Sequence, residues 1–419
     1  MKIRFIASLF ALAFSFTSTA QDTKKVLFLG NSYTAVNNLP QMVAQVANSV
    51  GDTVEHDSNA PGGYTFQGHS TNSTSLAKIA VGDWDYVVLQ EQSQLPSFPD
   101  WQVQNNVYPY AAALNQEIKD KNPCAETLFY MTWGRKNGDS DNCVGWPPVC
   151  TYEGMDNLIR NRYIAMANDN DALLSPVGAV WRYIRTNYPE IELYTSDESH
   201  PSVAGTYAAA CSFYSVIFRK DPTTITFDAS LPALEAQKIR LAAKHIVFDN
   251  LLEWNVGLFD PIADFTFENT ANTEYAFTNL SEQATSYLWD FGDGNTSTDE
   301  NPIYSYIATG TYTVSLTATH CDWESTFSQT IEVNQLSLPK HTSNEFVVYP
   351  NPSNFMINIK VAPHQIGQDY IMYDYNGRRL LSGRISQTTT TVQISDMASG
   401  LYFIQLGADK SNVVKFVKQ

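Results

Sequence analysis

The chain has 419 residues, 43% of them hydrophobic, which is more than one ordinary domain needs and enough for two or three cores. Asp and Glu outnumber Lys and Arg 43 to 26, for a formal charge of −17. An acidic surface of this kind speaks against nucleic acid or anionic lipid as the main partner.

Residues 1–20, "MKIRFIASLFALAFSFTSTA", read as a signal peptide. Lys2 and Arg4 form a basic start, Phe5–Phe16 is apolar, and small residues stand at the −3 and −1 positions before Gln21. The apolar run is too short to span a bilayer, and no later segment has about 18 consecutive apolar residues. The mature chain is therefore expected to be soluble and exported. Export permits disulfides. The five cysteines are Cys124, Cys143, Cys150, Cys211 and Cys321. "CVGWPPVC" predicts a Cys143–Cys150 pair around a Pro-Pro loop. The odd count leaves at least one thiol over, and the pairing of Cys124, Cys211 and Cys321 stays open.

From residue 24 to about 256, short apolar runs alternate with helical patterns. "KVLFLG", "DYVVLQ", "ETLFYMTW" and "DALLSPVG" read as buried strands. "LPQMVAQVANSV", "VYPYAAALNQEIKDK", "VAGTYAAACSFYSVIFRK" and "LPALEAQKIRLAAKHIVFDNLLEW" read as helices. This alternation predicts an α/β domain over 21–256, a parallel sheet covered on both faces. After Trp254 the texture changes. Residues 260–334 are rich in Thr, Phe, Tyr and Asn, with period-2 alternation in "TYTVSLTATH", and predict antiparallel β structure. Residues 335–344 read as a linker. Residues 345–419 predict a further small all-β module, with "YNGR" as a hairpin turn.

The segment "KKVLFLGNSYTAV", residues 24–36, places Ser32 just past the first predicted strand. Ligands of open parallel sheets sit outside the carboxyl ends of the strands. Asn31 or Ser32 could instead cap the next helix, but that helix is predicted to start near "NNLP", with Asn37 or Asn38 as its cap. A nucleophilic serine needs a base, and the base an orienting carboxylate. "LYTSDESHPSVAG" offers Asp197 and His200, three apart and on one side if the segment makes a helical turn; its plain alternative is a loop with a capping Asp and a surface His. "APGGYTFQGH" offers Gly63, whose backbone N–H a ligand could approach closely. Gln90 and Gln92 end the "DYVVLQEQ" strand and point the same way if it continues.

These four blocks resemble the SGNH hydrolase superfamily, the GDSL-like esterases and lipases, over residues 24–220. "GNSYT" matches the nucleophile block, "DESH" the final Asp-x-x-His block, and Gly63 the oxyanion glycine block. The third block departs: Gln90-Glu91-Gln92-Ser93 stand where the family has Gly-x-Asn-Asp, which puts Gln92 at the asparagine. The resemblance implies a flavodoxin-like three-layer sandwich with a parallel sheet. It implies Ser32 as nucleophile, His200 as base, Asp197 as its orienting acid, and an oxyanion site from Ser32, Gly63 and Gln92. It implies no metal and no cofactor. Gln90, Tyr33, Tyr64, Trp133 and Trp146 are candidates to line a substrate site, although aromatics are more often core. "TWGRKNGDSDNCVGWPPVC" is a polar insertion after a strand end, either a rim over the site or a stapled surface loop.

"YLWDFGDGNTSTDENPIYSYIATGTYTVSLTAT" resembles a PKD domain, an Ig-like sandwich. Trp289 is then core, and Asp290 and Asp293 hold turns. "VVYPNPSNFMINIKV", "YDYNGRRLL" and the terminal "VVKFVKQ" resemble the C-terminal sorting domain of type IX secretion, which implies a Bacteroidetes-type bacterium, the type IX machinery as a partner and a secreted or cell-surface destination. The expectation is a secreted serine esterase that removes acetyl groups from a polysaccharide. The rival readings are a lipase or broad short-chain esterase, an acyltransferase with the same triad, and a non-catalytic polysaccharide-binding protein.

Overall fold

The computed structural model describes residues 22–271, 273–334, 346–407 and 412–419. The signal peptide and the linker expected at 335–344 lie outside the described residues. By contacts the chain divides into two units, one reaching to Asp264 and including Ser281–Tyr287 and Thr317–Thr326, the other made of the remaining C-terminal residues.

The first unit is built on a five-stranded sheet: β1 (Thr23–Leu29), β2 (Thr53–Asn59), β3 (Tyr86–Leu89), β4 (Glu126–Tyr130) and β5 (Leu173–Ser175). Their order is β2-β1-β3-β4-β5 and every pairing is parallel. Val26–Leu29 of β1 and all of β3 are buried, as their unbroken apolar runs require. β2 was not read from the sequence. It is an edge strand of polar residues in which Val54 alone is buried, so neither an apolar run nor a clean alternation marks it.

Aromatic contacts show that both faces are covered. Phe129 and Tyr130 are neighbours on β4 and must point to opposite sides. Phe129 meets Phe66 at 6.0 Å, while Tyr130 meets Phe213 at 5.0 Å. Phe213 also meets Phe28 of β1. The helix Val203–Phe218, buried on nearly all sides, therefore covers one face, packed with Leu39–Asn48, Val177–Asn187 and Ala233–Ile246. Phe66–Thr71 lies on the other face and packs with Tyr108–Lys121. This is a flavodoxin-like three-layer sandwich. In this strand order, successive connections from β1 and β3 leave in opposite directions, which opens a crevice at the carboxyl ends of those two strands.

Cys143 and Cys150 are disulfide-bonded, and a second disulfide joins Cys124 to Cys321 within the same unit. Cys211 is left as a buried thiol, pushed up to about 12 by that burial. No helix among the described residues is long and apolar enough to cross a membrane.

The C-terminal sequence forms antiparallel sheets. Residues 265–333 give a three-stranded and a four-stranded sheet. Trp289 is fully buried against Phe265 and Phe277. Asp290 accepts from Gly292 N, and Asp293 accepts from Asn295 N and the Tyr304 hydroxyl, so both carboxylates hold turns. Residues 346–419 give another three-stranded and four-stranded sheet around Ile357, Ile359, Met372, Ile404 and Phe416. Within them Asp369–Asp374 and Arg379–Arg384 form the hairpin signalled by "YNGR", with Gly377 at φ +76° in its turn.

Candidate active site

β1 ends at Leu29 because Gly30 must lie against Gln90. A Cβ on Gly30 would meet the Thr34 hydroxyl at 2.3 Å and the Gln90 carbonyl oxygen at 2.7 Å. The next residue, Asn31, starts a short helix, Ser32–Ala35, at once. Its side-chain oxygen accepts from Tyr33 N at 3.1 Å, as an N-cap does. Its amide donates to Tyr64 O at 3.0 Å and Glu91 O at 3.3 Å, and its backbone N donates to Gln90. The long helix does start at Leu39, next to Asn38, as expected, but a short helix that the sequence reading did not separate precedes it. The cap is Asn31, and Ser32 is the first residue of a helix pinned to the ends of β1 and β3. Asn38 makes no side-chain cap bond, and Asn37 instead donates to Pro201 O at 3.1 Å and the Thr206 hydroxyl at 2.9 Å.

Asp197 and His200 also sit together, though on a closed loop rather than a helical turn. Thr195 N donates to His200 O at 2.9 Å, Tyr194 bridges Pro201, and Glu198 takes φ +62°. One Asp197 oxygen accepts from Ser199 N, His200 N and the Thr195 hydroxyl at 2.8–3.0 Å. The other accepts from His200 Nδ1. Burial alone would raise the Asp197 carboxyl, but these four donors outweigh it and hold it well below the ordinary carboxylate range. With Nδ1 donating to Asp197, Nε2 is free to accept. It lies 2.8 Å from Ser32 Oγ, from a residue 168 positions away.

Ser32 and His200 open on a cavity of about 240 Å³ that is also lined by Gly63, Gln92, Ser93 and Arg135. No aliphatic side chain is among its lining residues. Gly63 is at φ +70°, where a side chain is strained although space for one exists. Neither Ser32 N nor Gly63 N makes a hydrogen bond to the protein among the described residues. Gln92 lines the cavity, while its carbonyl accepts from Gln94 N and Leu95 N and its amide donates to the Gln94 side chain at 3.2 Å.

Four expected substrate contacts are corrected. Gln90 is fully buried and does not share the direction of Gln92; its oxygen takes Asn31 N and the Thr34 hydroxyl. Trp133 is fully buried, stacked between Tyr33 and Trp181 at centroid distances of 4.7 and 3.6 Å. Its indole N–H donates to Ser199 O, so it supports the histidine loop from behind. Tyr64 turns its hydroxyl to Asn72 and its ring to His69, away from the cavity. Trp146 donates to Ser97 O and does not line the cavity either. Tyr33 does line it, with its hydroxyl 2.7 Å from Ser199 Oγ.

Several supporting residues had no signal in the sequence reading. His69 is fully buried between Ser75 Oγ and Gly30 O. Only a ring N–H can bond a carbonyl, so Nε2 carries its proton, and burial lowers its affinity for a second. Glu91 is fully buried, and its carboxyl accepts Phe66 N and Gln92 N, joining the Gly63 loop to the end of β3. Burial raises it from 4.5 to about 8, against the pull of those bonds. The folded state therefore keeps this proton between about 4.5 and 8 while the unfolded chain loses it. The associated stability is complete below 4.5 and is lost as pH rises through 8. In Glu91→Gln, which keeps an acceptor for both N–H groups, the melting temperature should fall less between pH 5 and 8.5 than in the wild type. Parallel melting curves across that range would refute the assignment.

Two family models match the chain. Residues 260–334 match the PKD domain, and residues 347–419 match the secretion system C-terminal sorting domain. The C-terminal region from residue 260 is thus a PKD domain followed by a sorting domain. The sorting domain supports a secreted or cell-surface destination. Among curated proteins, the pre-pro-metalloprotease PrtV of Vibrio cholerae is 48% identical over 61 residues, 14% of this chain and 7% of that protein. Collagenase ColA of Bacillus cereus is 31% identical over 137 residues, 31% of this chain and 14% of that protein. The chain therefore spans only a small part of these relatives. Among solved structures, a DUF4886 family protein from Bacteroides uniformis is similar with TM-score 0.48 and 18% identity, covering 54% of this chain and 94% of that one. A candidate SGNH hydrolase from Slackia heliotrinireducens is similar with TM-score 0.39 and 27% identity, covering 47% and 100%.

Proposed function

We propose that the chain is a secreted serine ester hydrolase that removes short acyl groups, acetyl foremost, from a carbohydrate. The observation that carries this reading is the relay from Asp197 through His200 to Ser32 Oγ, opening on a small polar cavity. Ser32 Oγ attacks the ester carbonyl while His200 Nε2 takes its proton. Asp197 keeps the ring in the tautomer that allows this and stabilises the imidazolium that forms. The oxyanion falls to Ser32 N and Gly63 N, which the protein leaves uncommitted, with the remaining amide hydrogen of Gln92 as a third donor. His200 then protonates the leaving alkoxide and activates water to release the acyl group.

The cavity supports a short acyl chain, because a longer one would need aliphatic walls. A PKD domain and a sorting domain of the type IX kind fit an enzyme sent outside the cell to act on a polymer. The test is labelling of the purified mature protein with a fluorophosphonate, followed by peptide mapping. Label is expected on Ser32 and is expected to vanish in His200→Ala. A folded protein that takes no label would overturn the reading and favour a binding module that keeps the fold.

A further inference from the structure

We infer that the substrate carries a carboxylate beside its ester and that Arg135 receives it. The inference rests on the esterase reading and narrows its substrate class.

Arg135 follows the end of β4 and lines the same cavity as Ser32 and His200. One corner of its guanidinium is fixed. Nη1 donates to Asp139 Oδ1 at 3.1 Å and lies 3.5 Å from Asp141 Oδ2. Asp139 is fully buried, and its second oxygen is filled by the side-chain amides of Gln94 at 2.7 Å and Asn142 at 2.8 Å. Its backbone is held as well, by Asp139 N on Val149 O and Cys143 N on Asp139 O, both partners belonging to the adjoining loop closed by the Cys143–Cys150 disulfide. The loop is thus assembled around a buried carboxylate whose one open oxygen holds Arg135.

The opposite edge is uncommitted. Nε is buried with no hydrogen-bond partner, and Nη2 makes no hydrogen bond among the described residues. A buried N–H without a partner is costly, and an acceptor brought by a ligand would satisfy it. Nε and Nη2 present two parallel N–H groups, the fork that matches both oxygens of a carboxylate. Arg135 is also the one lysine or arginine lining this cavity, in a chain of net charge −17. Without it, Asp139 and Asp197 would repel an anionic ester.

The test compares kcat/KM on two matched pairs. The first is an O-acetylated uronic acid glycoside against its carboxamide, with the carboxylate on the alcohol part. The second is 4-nitrophenyl hydrogen succinate against 4-nitrophenyl butyrate, with the carboxylate on the acyl part. The wild type should prefer the acid about tenfold or more in one pair, and the pair that responds tells which side of the ester Arg135 faces. Arg135→Gln should bring that ratio to about 1. Arg135→Lys keeps a charge for Asp139 but lacks the fork. It should fall between the two and decides the matter if the Gln variant does not fold. Equal rates on acid and neutral esters by an enzyme that labels at Ser32 would overturn this inference alone. A preference that survives both substitutions would also overturn it. No turnover of any ester, with no label at Ser32, would overturn the esterase reading and this inference together.

Discussion

Ser32→Ala is expected to reduce hydrolysis of a small soluble acetate ester by a factor on the order of 10⁴ or more. The reaction proposed for this site forms its covalent bond at Ser32 Oγ, and among the described residues no other hydroxyl bonds His200 Nε2. The residual rate would come from water held near His200 and from the Ser32 and Gly63 N–H groups, which the substitution leaves in place. Folding should be unaffected. Among the described residues the Ser32 side chain makes one hydrogen bond, to His200, and alanine is well suited to the first turn of the Ser32–Ala35 helix. The measurement is kcat on the acetate ester, with circular dichroism to confirm the fold. Activity within tenfold of wild type would remove Ser32 from the mechanism.

Asp197→Asn should come next in size, with kcat down by a factor on the order of 10⁴ at neutral pH. Asparagine has nearly the same shape, and its oxygen can still accept from the loop N–H groups that now bond Asp197. Its amide, however, would face His200 Nδ1 with a donor. His200 would then accept at Nδ1 and carry its proton at Nε2, the wrong tautomer for taking one from Ser32. The loss should lie in kcat, with fluorophosphonate labelling slowed in parallel. A change in KM alone would mean that Asp197 only shapes the loop.

How much of this was legible in the sequence depends on how each residue is placed. The strands β1, β3, β4 and β5 are short apolar runs because both their faces are buried, and a run of that kind is visible without any partner. β2 pairs along one side only and is polar, so its strand character comes from its register with β1, which no local pattern carries. The blocks holding Ser32, Gly63, Asp197 and His200 were readable from their resemblance to a family. Their local geometry was not. Whether Asn31 or Asn38 caps a helix is decided by what Gln90, Tyr64 and Glu91 offer to Asn31, and those residues are distant in the chain. Gln90 and Trp133 were singled out by chemistry that suits a binding site, but burial turned both into supports. Arg135 had one usable signal, a cation just past a strand's carboxyl end, where ligands of such sheets gather.

The two bonds from Asn37 have a consequence in time. On the proposed reaction, Ser32 and His200 are partners for only half of each cycle. Once the serine oxygen carries an acyl group, the histidine must turn its attention to water. A site joined solely by that one contact would be free to drift apart midway, when hydrolysis still lies ahead. Asn37, five residues beyond Ser32, clasps Pro201 and Thr206 on the histidine side. None of these three groups exchanges a proton or a bond during turnover. The clasp therefore stays shut while the chemistry opens and closes beside it, and the second half-reaction begins with its parts still aligned.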